Sequence, residues 1–154
     1  MIALRKDDQM IRDATEEDFG LILDMCAEFW KHTLYDEPFD YEHTLTMVKM
    51  AFDHGLLSVV DIDGPKGFLA AIRAPLLASK EAQHAVELAY WINPDHRKGT
   101  AALKLMKHIE SKAKLAGVKY FNFISMESSN PRLAEKIYSK MGYSKSETSF
   151  TKVI

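Results

Sequence analysis

A mixed α/β layer is the fold class this chain predicts, and three observations lead there. Apolar runs of strand length alternate with amphipathic stretches of helical spacing. Capping and turn residues fall between them. One nearly continuous apolar run, Ala85 to Ile92, reads as a central strand covered on both faces. The predicted order is strand, helix, helix, three strands, helix, strand, helix, strand.

Residues 1–8 are polar after a short apolar start and read as a loose lead-in, so the domain is expected to run from 9 to 154. Met10 to Ala14 predicts a short strand. Thr15 with Asp18 forms a capping box ahead of Phe19, Ile22, Cys26 and Phe29, an apolar stripe that predicts a helix ending near Lys31. Pro38 and the acids of His32 to Asp40 interrupt the helical pattern before a second helix over Tyr41 to His54, capped by Gly55. Leu56 to Ile62 and Gly67 to Ala74 are β-rich runs joined by a turn at Asp63 to Lys66, with Pro75 limiting the second.

After a polar connection comes the run Ala85 to Ile92. Ala102, Leu105, Met106, Ile109, Ala113 and Ala116 then repeat with helical spacing while lysines take the wet face, and Gly117 ends the helix. Val118 to Met126 predicts a strand. Asn130 and Pro131 supply the N-cap and first-turn proline of a last helix closed by Gly142, and Tyr143 to Lys152 alternates well enough for a final strand.

The 154 residues suffice for one core without staples, and 47% hydrophobic with 27% charged residues argues against disorder. A net charge of −2 gives no broad basic field, so nucleic acid is not an expected partner. The single cysteine, Cys26, and the absence of an apolar N-terminal or membrane-length stretch predict a reducing, cytoplasmic setting. Six histidines make no recognised ligand spacing, so no metal is expected.

Two local features carry chemistry. The first is the turn Arg97, Lys98, Gly99, Thr100, Ala101, Ala102 between a buried strand and a helix. Unpaired N–H groups and the positive end of the helix favour an anion there, small residues let a phosphate approach, and the two cations add charge. The same residues also suit a plain helix cap. The second is the last helix, where Ala134 and Tyr138 share a face and Gly142 follows one turn later, which lets Tyr138 face a cleft or pack in the core.

Together, the topology, the Pro94-to-Ala102 turn and the Asn130, Ala134, Tyr138, Gly142, Tyr143 pattern resemble the GNAT family of acetyl-CoA-dependent N-acyltransferases, over about Gln9 to Lys152. The resemblance implies a single domain with a mixed, mostly antiparallel sheet, about four flanking helices, and splayed fourth and fifth strands. It implies acetyl-CoA as cosubstrate, its arm on the backbone of Tyr90, Trp91 and Ile92, and its pyrophosphate on Arg97 and the backbone from Lys98 to Leu103. Asn130 would contact the arm. The implied reaction is direct attack of a primary amine, with a backbone N–H near Trp91 polarising the carbonyl, Tyr138 protonating the thiolate, and Glu87 or Glu127 as base.

Two departures stand out: Thr100 occupies the position where the family usually has its first glycine, and Asn130 to Tyr138 is one residue longer than its commonest spacing. The implied acceptor is an amine of a small molecule, a peptide N-terminus or a lysine. Asp36, Glu37 and Asp40 beside Tyr35 and Phe39 would suit a cationic amine. A homodimer and a bacterial or phage-infected cell are compatible with the chain. An inactive GNAT-like module that binds CoA or a protein is the rival reading, with a toxin acting on charged tRNA as a third.

Overall fold

The computed structural model describes residues 10–154, so the expected lead-in over 1–8 lies outside the described residues. The described chain falls into two compact units, one ending at Ile124 and one running Ser125–Ile154.

In the first unit β1 (Ile11–Asp13), β2 (Leu56–Asp61), β3 (Pro65–Leu76), β4 (Ser79–Ile92) and β5 (Val118–Asn122) form a sheet in that spatial order. Every pairing is antiparallel except β4 with β5, which is parallel and needs the crossover helix α3 (Ala101–Leu115). Helices α1 (Phe19–Trp30) and α2 (Tyr41–His54) fall where their periodicity places them. Between β1 and α1, Thr15 N–H donates to Asp18 Oδ2 at 2.7 Å, and Glu16–Asp18 make a 3-10 turn. Arg12 clamps this corner, bonding both Asp18 oxygens and Asp61; it holds the buried Asp18 carboxyl well below the usual carboxylate range.

Strand side chains alternate between two faces. Leu57, Val59, Phe68, Ala70, Ala89 and Trp91 join one core with Ile22, Met25 and Val48 of α1 and α2. The other face carries α3, whose Leu105, Met106 and Ile109 have no exposed surface. Burial of each is worth roughly 1.5–3 kcal/mol. Gly55 is required where α2 meets β2, because a Cβ there would lie 2.1 Å from the Ala71 carbonyl oxygen.

Three strand expectations are corrected. Pro75 does not end β3, and the polar stretch after it is the start of β4, with Pro75 opposite Gln83. Past Ala71 β3 has no β2 neighbour, so a missing N–H on that side costs no ladder bond. β5 stops at Asn122 rather than Met126, since its last pair is Val86↔Asn122 and the Glu87 carboxylate then accepts the Ile124 N–H at 3.0 Å.

The final strand over Tyr143 to Lys152 is absent. In the second unit the regular element is α4 (Pro131–Lys140), and Ser144 to Ile154 is exposed throughout. Alternation alone makes no strand without a neighbouring ladder to take its N–H and C=O groups.

Candidate active site

The site of the first unit is built around the second half of β4. Ala70 pairs with Ala89 while Ala71 pairs with Glu87, so Leu88 is an extra residue, a β-bulge. Leu88 packs against the same α1/α2 core as Ala89. The bulge therefore turns Glu87 and Tyr90, three residues apart, onto one face of the sheet, where simple alternation would oppose them. That face is the α3 side, since Tyr90 Oη donates to the Ala102 carbonyl at 3.0 Å and ties the first turn of α3 to β4.

Beyond Val86↔Asn122 the β4–β5 ladder opens: β5 ends at Asn122 while β4 continues to Ile92 with no described strand on that edge. Glu87 sits at the start of this opening and is buried; burial pushes its carboxyl up to about 8, opposed by the Ile124 N–H. Burial, with the nearby Glu87, also raises the Tyr90 phenol.

The turn after β4 starts with a 3-10 segment, Pro94–His96, and α3 begins at Ala101 with Thr100 as N-cap. Gly99 takes φ +109°, a conformation that favours glycine, and the space a Cβ would fill there is open. The first-turn N–H groups of Ala101, Ala102 and Leu103 have no partner within the helix and are available to an anion.

Lys98 is exposed. Arg97 turns back: its Nε donates to the Ile92 carbonyl at 2.7 Å and its guanidinium lies 4.4 Å from the Trp91 ring centroid. Trp91 in turn donates Nε1–H to Asn93 Oδ1 and meets the His32 ring at 5.3 Å. Arg97 thus fastens the turn to the strand.

On the opposite face a cavity of about 380 Å³ lies between the sheet, α1, α2 and the loop joining those helices. Phe68, Ala70, Leu88 and Ala89 form its sheet side, and Glu37 and Asp40 stand at its loop edge. The loop is held by Trp30 Nε1–H donating to the Glu37 carbonyl at 2.7 Å and by Trp30 stacking on Tyr35. Cys26 lines the cavity as a buried thiol, pushed up to about 12 by burial, which suits packing and not nucleophilic attack. Among the described residues no group of three His, Cys, Asp or Glu side chains could hold a metal, and no helix is long and apolar enough to cross a membrane.

In the second unit, Asn130 Oδ1 accepts the Leu133 N–H at 3.2 Å as the N-cap of α4, leaving its Nδ2 hydrogens as the donors to offer. Tyr138 is half-buried, with its ring 6.2 Å from that of Tyr143, and Gly142 at φ +92° closes the helix. Glu127 is exposed in the turn before α4. The bulge and the cavity escaped the sequence reading; Glu87 alone among the apolar side chains of Ala85 to Ile92 was the available signal.

The sequence model of the acetyltransferase (GNAT) family matches residues 9–143, and the chain belongs to that family. Solved structures share its fold. A transcriptional regulator from Bacillus halodurans C-125 is similar at TM-score 0.73 and 19% identity, over 94% of this chain and 98% of that one. A predicted acetyltransferase with acetyl-CoA from Clostridium acetobutylicum is similar at 0.73 and 12%, over 93% and 94%. An aminoglycoside acetyltransferase from an uncultured soil metagenomic sample is similar at 0.72 and 15%, over 94% and 97%. A comparison with curated proteins found no match.

Proposed function

We propose that the chain is an acetyl-CoA-dependent N-acetyltransferase that acts on a primary amine by direct attack. The observation that carries this reading is the opening of β4 from β5 after Val86↔Asn122, which leaves the Leu88-to-Ile92 backbone edge available and ends at the N-terminus of α3. Family membership and the neighbour solved with acetyl-CoA support it.

The residues present fit such a ligand. The backbone of Tyr90, Trp91 and Ile92 offers a strand edge to the amide-bearing arm. The backbone N–H groups from Lys98 to Leu103, which include the first turn of α3 and an unobstructed Gly99, offer an anion cradle for the pyrophosphate. With its Nε on the Ile92 carbonyl, Arg97 contributes field and shape more than a fork of donors. The Asn130 amide supplies a further contact. Acetyl-CoA supplies the thioester.

The chain's own groups handle the protons. Glu87 removes one from the incoming ammonium, directly or through water, because its buried carboxyl is poised near neutrality; the exposed Glu127 is the less apt base. A backbone N–H near Trp91 polarises the carbonyl, and Tyr138 protonates the departing thiolate.

Titration calorimetry with acetyl-CoA and a thiol-release assay over a panel of amines test this. Saturable binding and amine-dependent thiol release are expected. Binding without turnover over the panel would favour the inactive module, and no binding would end both readings.

A further inference from the structure

We propose that the acceptor is a primary amine on an apolar, ring-bearing body of small-molecule size, an arylalkylamine and not a polyol or polyamine. This deepens the acetyl-transfer reading and rests on it. The cavity on the α1/α2 face has about 380 Å³, within the range of roughly 300–1,000 Å³ that holds small molecules. Its walls are Phe29, Trp30, Phe39 and Met47, and its sheet side ends at Leu88 and Ala89, the bulge that leads into the opened strand.

Polar side chains reach the cavity chiefly from the loop and the start of α2, and several are already engaged. Asp40 Oδ1 accepts the His43 N–H at 2.9 Å, and Thr44 Oγ1 donates to the Asp40 carbonyl at 2.6 Å. The sheet side therefore has little to offer a hydroxyl or a second ammonium, whose lost water would go unreplaced. A ring, in contrast, gains both burial and aromatic contact there.

Charge fits the same ligand. Glu37 and Asp40 at the exposed edge favour the approach of a single cation. An ammonium that moves inward to Leu88 and Ala89 leaves water, which disfavours its charged form and eases loss of its proton, through water in the strand opening, to the Glu87 carboxylate on the other face. The buried Cys26 thiol belongs to the same apolar wall.

Phenethylamine, putrescine and kanamycin are the probes, titrated against the full chain and then used as acceptors with acetyl-CoA. Phenethylamine should bind at least about tenfold more tightly than either polar amine and lead in kcat/KM. Met47→Trp should weaken its binding at least about tenfold by filling the cavity, while Met47→Leu keeps it; Phe39→Ala serves where the tryptophan variant does not fold. Equal or tighter binding of putrescine or kanamycin, or indifference of phenethylamine to the filled cavity, overturns the proposal. A chain that prefers phenethylamine but binds no acetyl-CoA would instead overturn the transfer reading and leave the ligand class standing.

Discussion

The two faces of the sheet at β4 do different work. Toward α1 and α2 the strand shows Leu88, Ala89 and Trp91 to an apolar core and a cavity lined largely by apolar side chains. Toward α3 it shows Glu87, a buried carboxyl, and Tyr90, whose hydroxyl holds a helix N-terminus. Under strict alternation neither set could form, because Glu87 and Tyr90 would fall on opposite faces. One inserted residue, Leu88, separates an apolar face from a face that carries Glu87 and Tyr90 within one stretch of strand.

Leu88→Asp breaks the contrast most completely. Leu88 packs against the α1/α2 core, and a carboxylate placed there without a partner should lower Tm by more than about 5 °C, read by circular dichroism. Unchanged melting would show that Leu88 does not face that core.

Glu87→Gln sharpens the contrast without moving the backbone. Under the proposed mechanism kcat should fall by about 10²–10⁴-fold, and the wild-type rise in rate as pH passes through about 8 should flatten. Stability has its own sign. The folded carboxyl titrates at about 8 against an ordinary value of 4.5, so its stabilising effect is full below about 4.5 and is lost as pH rises through 8. Denaturant midpoints of the wild type should therefore decline over that window, and those of the Gln variant should decline less.

Tyr138→Phe tests the second unit on its own terms. It should lower kcat by about 10²-fold or more with little change in acetyl-CoA affinity, and an unchanged rate would remove Tyr138 from the reaction.

The smallest effect belongs to Tyr90→Phe, which removes one hydroxyl donor from the Ala102 carbonyl. The expected loss is about 1 kcal/mol, or roughly 2–4 °C in Tm, with weaker acetyl-CoA binding as the α3 turn loosens.

Local physics made much of this molecule legible in advance. The stripe Phe19, Ile22, Cys26 predicted α1, and Asn130 with Pro131 predicted the start of α4, because caps and 3.6-residue spacing act within a few residues. Gly99 and the alanines marked the turn at Arg97 to Ala102 for the same reason. Reach across the sheet was not legible. Pro75 looked like a strand end until the open β2 side showed that its missing N–H cost nothing. The tail over Tyr143 to Lys152 looked like a strand because alternation says nothing about whether a partner ladder exists.

By itself the sequence determined the order of helices and strands through α4, the buried run containing Glu87 and the small-residue turn at the head of α3. Only the tertiary structure decided that Leu88 bulges, that Glu87 and Tyr90 share a face, that Arg97 lies on Trp91, and that the loop at Glu37 to Asp40 edges an apolar cavity. Those are matters of register and of which chain segments meet, and register is set by pairing with β3 and by burial on both sides of the sheet, not by any residue's local preference.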